Sequence, residues 1–159
     1  MNAKTPDDLL NTNNSKTTWK DPKRYLWLLS PAVPVIGIAA LSAYAVAPKR
    51  LRALAWVGPA LVHGVIPAID RLIGEDKSNP PVSAVQQLEN DKYYGRIVKA
   101  FIPAQYAVTF LGAWLASRKN TPMIDRVGLT FSVGAMNGIA INTAHELGHK
   151  HDKTDRLLA

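Results

Sequence analysis

Cysteine is absent from the 159 residues of this chain. Thiolate zinc sites, iron–sulfur clusters and disulfides are therefore excluded, which leaves histidine and carboxylate as the candidate metal ligands. Histidine is itself scarce, four residues in all. No internal repeat or low-complexity tract occurs, and no cleavable signal peptide opens the chain. Residues 1–20 are polar and expected to form a disordered tail. Formal charge is also missing from one long stretch: not one Asp, Glu, Lys or Arg lies between Tyr25 and Ala47.

What is present explains that gap. The apolar fraction of 47% sits beside a mean hydropathy of −0.05, an average that hides long apolar runs diluted by polar connectors. Four segments, at about 25–47, 51–73, 97–116 and 127–148, approach the ~20 apolar residues that a bilayer requires. The second closes on Asp70 and Arg71, and Lys99 near the start of the third can snorkel to headgroups. Pro31, Pro34, Pro59, Pro67 and Pro103 lie in or at the ends of these segments. Membrane helices tolerate such kinks when neighbours satisfy the freed carbonyls. Trp27 and Trp114 lie near span ends as interfacial anchors do, and Trp19 stands just ahead of the first span. The pattern predicts an all-α, polytopic membrane helical bundle with four transmembrane helices in this chain.

The net charge of +7 does not point to nucleic acid, because the basic residues flank apolar segments instead of covering one face. They do orient the bundle. Thirteen lie in the N-terminal tail, the connector between spans two and three, and the C-terminal tail, against six on the opposite side. The positive-inside rule then places both termini in the cytoplasm. In the long connector, Asn79-Pro80-Pro81 is a turn and extended signal, and Val85 to Tyr94 is expected to form a short surface helix.

The residues with the most chemistry are His145-Glu146-Leu147-Gly148-His149, where the fourth apolar segment stops. Residues i and i+4 share a helix face, so both imidazoles can meet one metal ion. An ionisable cluster at the mouth of a span is a functional hypothesis by default. Asn142, His145 and His149 fall within about 60° of one another around such a helix. Gly138 and Gly134 continue the stripe as a small-xxx-small pair, which predicts close packing against a neighbouring helix. Glu146, on the shoulder of that face, can bind metal, orient a histidine or act as a base. Asn142 is a candidate hydrogen-bond partner for an imidazole N–H or for another helix. His151 belongs to a charged tail and is expected in solvent. His63, inside the second span, reads as an interhelical hydrogen bond in preference to a ligand, and Asp70 and Arg71 read as a span end.

Two chemistries share this pentapeptide. HExxH on a helix is a zinc hydrolase signature, with the glutamate as base, and intramembrane zinc proteases carry it in a membrane helix. Histidine-rich sets also suit non-haem iron(II). The pentapeptide alone leaves both open.

Longer stretches resemble one family. Asn142-Thr143-Ala144-His145-Glu146-Leu147-Gly148-His149-Lys150, with Asp155-Arg156 beyond, is similar to the first histidine box of membrane-bound alkane 1-monooxygenases. So are Tyr25-Leu26-Trp27-Leu28-Leu29-Ser30 and the connector, from Asp70 through Gly74-Glu75-Asp76 and Asn79-Pro80-Pro81 to Tyr93-Tyr94. The resemblance runs in order over residues 20–159. It implies the N-terminal part of a six-span enzyme of the bacterial inner membrane. Such an enzyme hydroxylates the terminal methyl of medium- or long-chain alkanes at a histidine-ligated diiron centre, with dioxygen and electrons from rubredoxin and its reductase. By that resemblance His145 and His149 are iron ligands, with Glu146 behind them; Asn142 remains the candidate partner that its helix face suggests. Val62 falls where the family's second span lines an alkane channel, a position equally open to plain helix packing. The family's later histidine boxes and its last two spans are missing, so the fragment by itself is expected to be inactive.

Overall fold

The computed structural model describes residues 19–74, 79–149 and 153–158. Most of the expected disordered tail, along with His151, lies outside them. Every regular element among the described residues is helical. We number them α1 (Arg24–Val46), α2 (Arg52–Ile73), α3 (Val82–Asn90), α4 (Lys92–Ser117), α5 (Met123–Gly148) and α6 (Lys153–Leu158). Helix α1 opens with a 3-10 turn, Arg24–Leu28. The expected surface helix is α3; it stops at Asn90, and Tyr93 and Tyr94 belong to α4 instead. The break is made by Asp91, whose carboxylate accepts the Tyr93 N–H at 2.8 Å and so starts the next helix.

Three helices are long and apolar enough to cross a membrane: α1, α2 and α4. Helix α5, the fourth expected span, is just as long as α4 at 26 residues. It is not among the three, because Ser132, Asn137, Asn142, Thr143 and His145 dilute its apolar content. Helix α5 is nevertheless the centre of the bundle. Leu129 and Met136 on α5 close a core with Leu41 and Tyr44 of α1, Ala55 of α2, and Val108 and Leu115 of α4. Outward, Val35, Ile36, Ile69, Phe110, Trp114 and Ile141 remain exposed, an apolar exterior suited to lipid or to further helices.

Close approach in this core is made by glycines. A Cβ on Gly112 would strike the Val133 side chain, one on Gly128 would strike the Trp56 indole, and one on Gly58 would enter the Ser132 backbone. The contact at Gly58 accompanies an irregular stretch. Pro59 has no N–H to give the Ala55 carbonyl four residues back. The Ser132 hydroxyl donates to that carbonyl at 2.7 Å and accepts the Gly58 N–H at 3.0 Å. Between Pro59 and Pro67 the chain then winds as a π-helical stretch, Ala60–Val65, a form frequent at functional sites.

The end of the bundle where α5 begins is locked by charge. Asp125, only 2% exposed, accepts hydrogen bonds from Tyr44 Oη at 3.0 Å and from Arg52 Nε and Nη2 at 3.0 and 2.9 Å. One carboxylate thus joins α1, α2 and α5. Midway along, Gln105 Nε2 and Thr109 Oγ1 donate to Asn137 Oδ1 and tie α4 to α5.

Candidate metal-binding histidines and an apolar groove

The C-terminal turns of α5 are set by Leu147, which is 2% exposed and packs with Phe101 and Ile102 of α4, with Leu158 of α6 against them. Successive helical residues are separated by about 100°, so a buried Leu147 turns His145 and His149 to the opposite side. Both imidazoles are exposed. Their rings meet nearly edge to face, with centroids 4.6 Å apart and an interplanar angle of 81°. The two Nε2 atoms face each other at 3.2 Å.

That separation has two chemical readings. Neutral imidazoles in complementary tautomers share one proton across it. With both Nε2 atoms unprotonated, two lone pairs converge on one point. Neighbouring donors about 2.1 Å from a common first-row metal lie roughly 3–3.4 Å apart, so the pair fits two corners of one coordination sphere. The last-turn carbonyls of α5 add negative potential that favours a cation. Among the described residues no group of three or more His, Asp or Glu gathers to hold a metal.

Helix α5 carries a groove along the same stripe. Val62 and His63 from the π-helical stretch form one wall, with Thr130, Phe131, Gly134, Ala135, Gly138, Ile139 and Asn142 from α5 opposite; its volume is about 590 Å³. The close helix packing expected at Gly134 and Gly138 is not made among the described residues, where a Cβ at either would meet nothing within 4 Å. No described helix covers them, so the small residues floor an open channel. On the helical stripe the next position past Gly134, Gly138 and Asn142 is His145.

The other candidates fall into place around this groove. Val62 lines it. Asn142 lines it too, and among the described residues forms no hydrogen bond to either imidazole. Among the described residues His63 makes no interhelical hydrogen bond; it is exposed on the groove wall, in the π-helical stretch. Glu146 is on α5 between the two histidines, and its side chain lies outside the described positions. Asp70 and Arg71 lie in the exposed last turns of α2, as expected of a span end. Sequence reasoning missed Ser132 and Asp125. The available signals were Pro59, which orphans a carbonyl, and an acid in the first turn of an apolar helix.

No family model matches the chain, but several characterised proteins do. It is 51% identical to an alkane 1-monooxygenase of Acinetobacter baylyi over 140 residues, which covers 87% of this chain and 34% of that protein. It is 40% identical to alkane 1-monooxygenase 1 of Alcanivorax borkumensis over 144 residues, again 87% and 34%. With an alkane 1-monooxygenase of Pseudomonas putida it shares 36% identity over 151 residues, 92% of this chain and 36% of the relative. The chain thus spans about a third of the length of the curated relatives it matches.

Proposed function

We propose, on the premise that this chain belongs to the alkane 1-monooxygenase family and spans about a third of its relatives' length, that it supplies two metal ligands and part of the substrate channel of a membrane-bound alkane hydroxylase. The observation that carries the reading is the pair of facing Nε2 atoms, 3.2 Å apart, at the foot of an apolar groove.

His145 and His149 would hold iron of a non-haem diiron centre, whose remaining ligands belong to parts of the enzyme outside this chain. When bound, that centre supplies the oxidising power that no acid–base group has over a terminal C–H bond. This chain's residues do the rest. Neutral imidazoles present lone pairs to a cation without adding charge. Val62, Phe131 and Ile139 give a hydrocarbon chain an apolar wall, and the bare glycines let it lie against the backbone of α5. Asn142, one helical step from His145, is positioned to hydrogen-bond the outer edge of that ligand set, with Glu146 beside it. The substrate reaches the groove from the bilayer, so it never has to cross water.

The same reading makes α5 a fourth span of a six-span enzyme of the bacterial inner membrane, with the histidine end cytoplasmic. Electrons arrive there from rubredoxin and its reductase, and the excess of basic residues favours an acidic carrier.

The test is made on the full-length protein. Metal analysis should find iron that is lost in His145→Ala and in His149→Ala, together with rubredoxin-dependent conversion of dodecane to 1-dodecanol. One bound zinc, with peptide cleavage abolished by Glu146→Gln, would overturn the reading in favour of a protease.

A further inference from the structure

A second cavity lies about a quarter turn around α5 from the groove, between α4 and α5, with a volume of about 260 Å³. Ile102 of α4, Ala140 and Ala144 of α5 and Leu158 of α6 give it apolar walls, and the exposed Tyr106 and Ile141 stand at its edge. No charged side chain among the described residues lines it. Three polar ones do: Gln105, Thr109 and Asn137.

Gln105 is 5% exposed. Its Nε2 donates to Asn137 Oδ1 at 2.7 Å. Thr109 Oγ1 lies 2.9 Å from the same oxygen and 3.0 Å from the Gln105 backbone carbonyl, so its single hydrogen is used within this network. Gln105 Oε1 is left over. It is buried and accepts no hydrogen bond among the described residues. Buried amide oxygens are ordinarily paired, and one left unpaired loses its hydration with nothing in return. A single water does not answer the need. Its share of liquid volume is about 30 Å³ and it binds through roughly two to four polar partners, whereas this space is several times larger and walled mainly by hydrocarbon.

The ligand called for is neutral, with one hydroxyl and a hydrocarbon body. An ammonium or a phosphate would meet no counter-charge in this lining and would be stripped of water to enter it. A hydroxyl both donates and accepts, so it pairs with the exposed end of the amide whichever way the amide is turned. The cavity also has length. It reaches Ala144, the residue before His145, and Asn137 lies about 10 Å back along α5. We propose that this cavity binds a straight-chain primary alcohol, with its hydroxyl donating to Gln105 Oε1 and its chain against Ile102, Ala140 and Ile141. The choice of an alkanol among neutral hydroxyl compounds rests on the alkane-hydroxylation reading, in which it is the product; the site itself rests on the unpaired Gln105. A hydroxylated chain thus has a place off the groove that the parent alkane has no hydrogen bond to hold.

Photo-crosslinking of the full-length protein in phosphatidylcholine nanodiscs tests the proposal. The probe is 1-dodecanol with a diazirine midway along its chain, and mass spectrometry locates the label; no reductant is supplied, so turnover does not contribute. Label should fall on α4 and α5 around Tyr106 and Ile141. Unlabelled 1-dodecanol should displace the probe at about a tenth of the concentration that dodecane needs, which corresponds to ~1.4 kcal/mol. Gln105→Leu should erase that difference. Ile141→Trp alters an exposed position, leaves the Gln105 network in place, and should lower labelling by crowding the cavity. Absence of label at the cavity, equal displacement by alkane and alcohol, a preference that survives Gln105→Leu, or unchanged labelling of Ile141→Trp overturns the proposal. Displacement by phosphatidylglycerol as efficient as by 1-dodecanol would move the hydroxyl to a lipid and overturn the alcohol. Alkane turnover is assayed separately: a protein that selects the alcohol but oxidises no alkane loses the hydroxylase reading and keeps the site, and the reverse result removes the site alone.

Discussion

Replacing Ser132 with alanine should destabilise the bundle, and the structure sets the size and character of the effect. Ser132 is fully buried. Its hydroxyl holds two backbone groups of α2, the Ala55 carbonyl and the Gly58 N–H. Alanine removes both bonds and admits no water to replace them. A buried polar group left unpaired costs about 1–3 kcal/mol in a soluble interior. Hydrogen bonds between membrane helices average only about 0.6 kcal/mol, up to roughly 1.7. Two bonds of this kind give an expected loss of about 1–3 kcal/mol. Reversible unfolding in mixed micelles measures it, with Thr130→Ala, an exposed hydroxyl on the same helix, as the comparison. The sharper check is a double-mutant cycle. Pro59→Ala restores an N–H within reach of the Ala55 carbonyl, so Ser132→Ala should cost less in that background than in the parent. Strict additivity, or a loss no larger than that of Thr130→Ala, would refute the account of Ser132 as the substitute for a missing helix donor.

Four further outcomes follow from the same geometry. Each of His145→Ala and His149→Ala should lower bound iron in the full-length protein on its own, as read by elemental analysis, because one imidazole cannot replace the facing pair. Asp125→Ala should cost about 1–3 kcal/mol in the same micelle unfolding assay; it strands Tyr44 Oη, while the half-exposed Arg52 side chain can turn to solvent. In the full-length protein, and on the proposed reading of the groove, Gly138→Leu should leave stability nearly unchanged, since its Cβ meets open space among the described residues, yet cut turnover of long alkanes more than short ones in a mixed-substrate assay. Asp91 is held below the usual carboxylate range, first by its hydrogen bond from Arg24 and then by the Tyr93 N–H. Its folded pKa is depressed, so its contribution is present above an unfolded value of about 4 and lost as pH falls below it. Trp27 fluorescence should report loosening of this corner in acid, and Asp91→Asn should already be loosened at neutral pH.

Much of this arrangement was legible in the sequence because it depends on local spacing. Four residues between His145 and His149 fix a shared face in any helix, and the 3.2 Å pair is what that spacing yields. Uncharged runs announced α1, α2 and α4. The readings that failed were those in which one local pattern serves two tertiary outcomes. Gly134 and Gly138 are spaced as a helix-packing motif, but spacing cannot say whether a helix arrives to use it, and in the described structure none does. His63 reads in the sequence as an interhelical hydrogen bond, whereas in the structure it is exposed on the groove wall. Pro59 and Pro67 showed that α2 is irregular without showing how. The answer depends on Ser132, more than seventy residues away in sequence.

The winding of Ala60–Val65 bears on how this protein tolerates change in length. A π-helical stretch amounts to one residue more than a regular helix would hold, and each residue carries about 100° of rotation. Deleting a single residue there would barely alter the length or hydropathy of α2, and the helix would still be read as a span. Ile66 to Ile73 would keep nearly their present register, because the deletion returns the stretch to regular winding, and the change would fall on Val62 and His63, whose place on the groove wall depends on the extra residue. A one-residue deletion within Ala60–Val65 is therefore expected to reshape the groove wall while leaving α2 intact as a span, so the extra residue belongs to the specification of the groove and not to that of the helix.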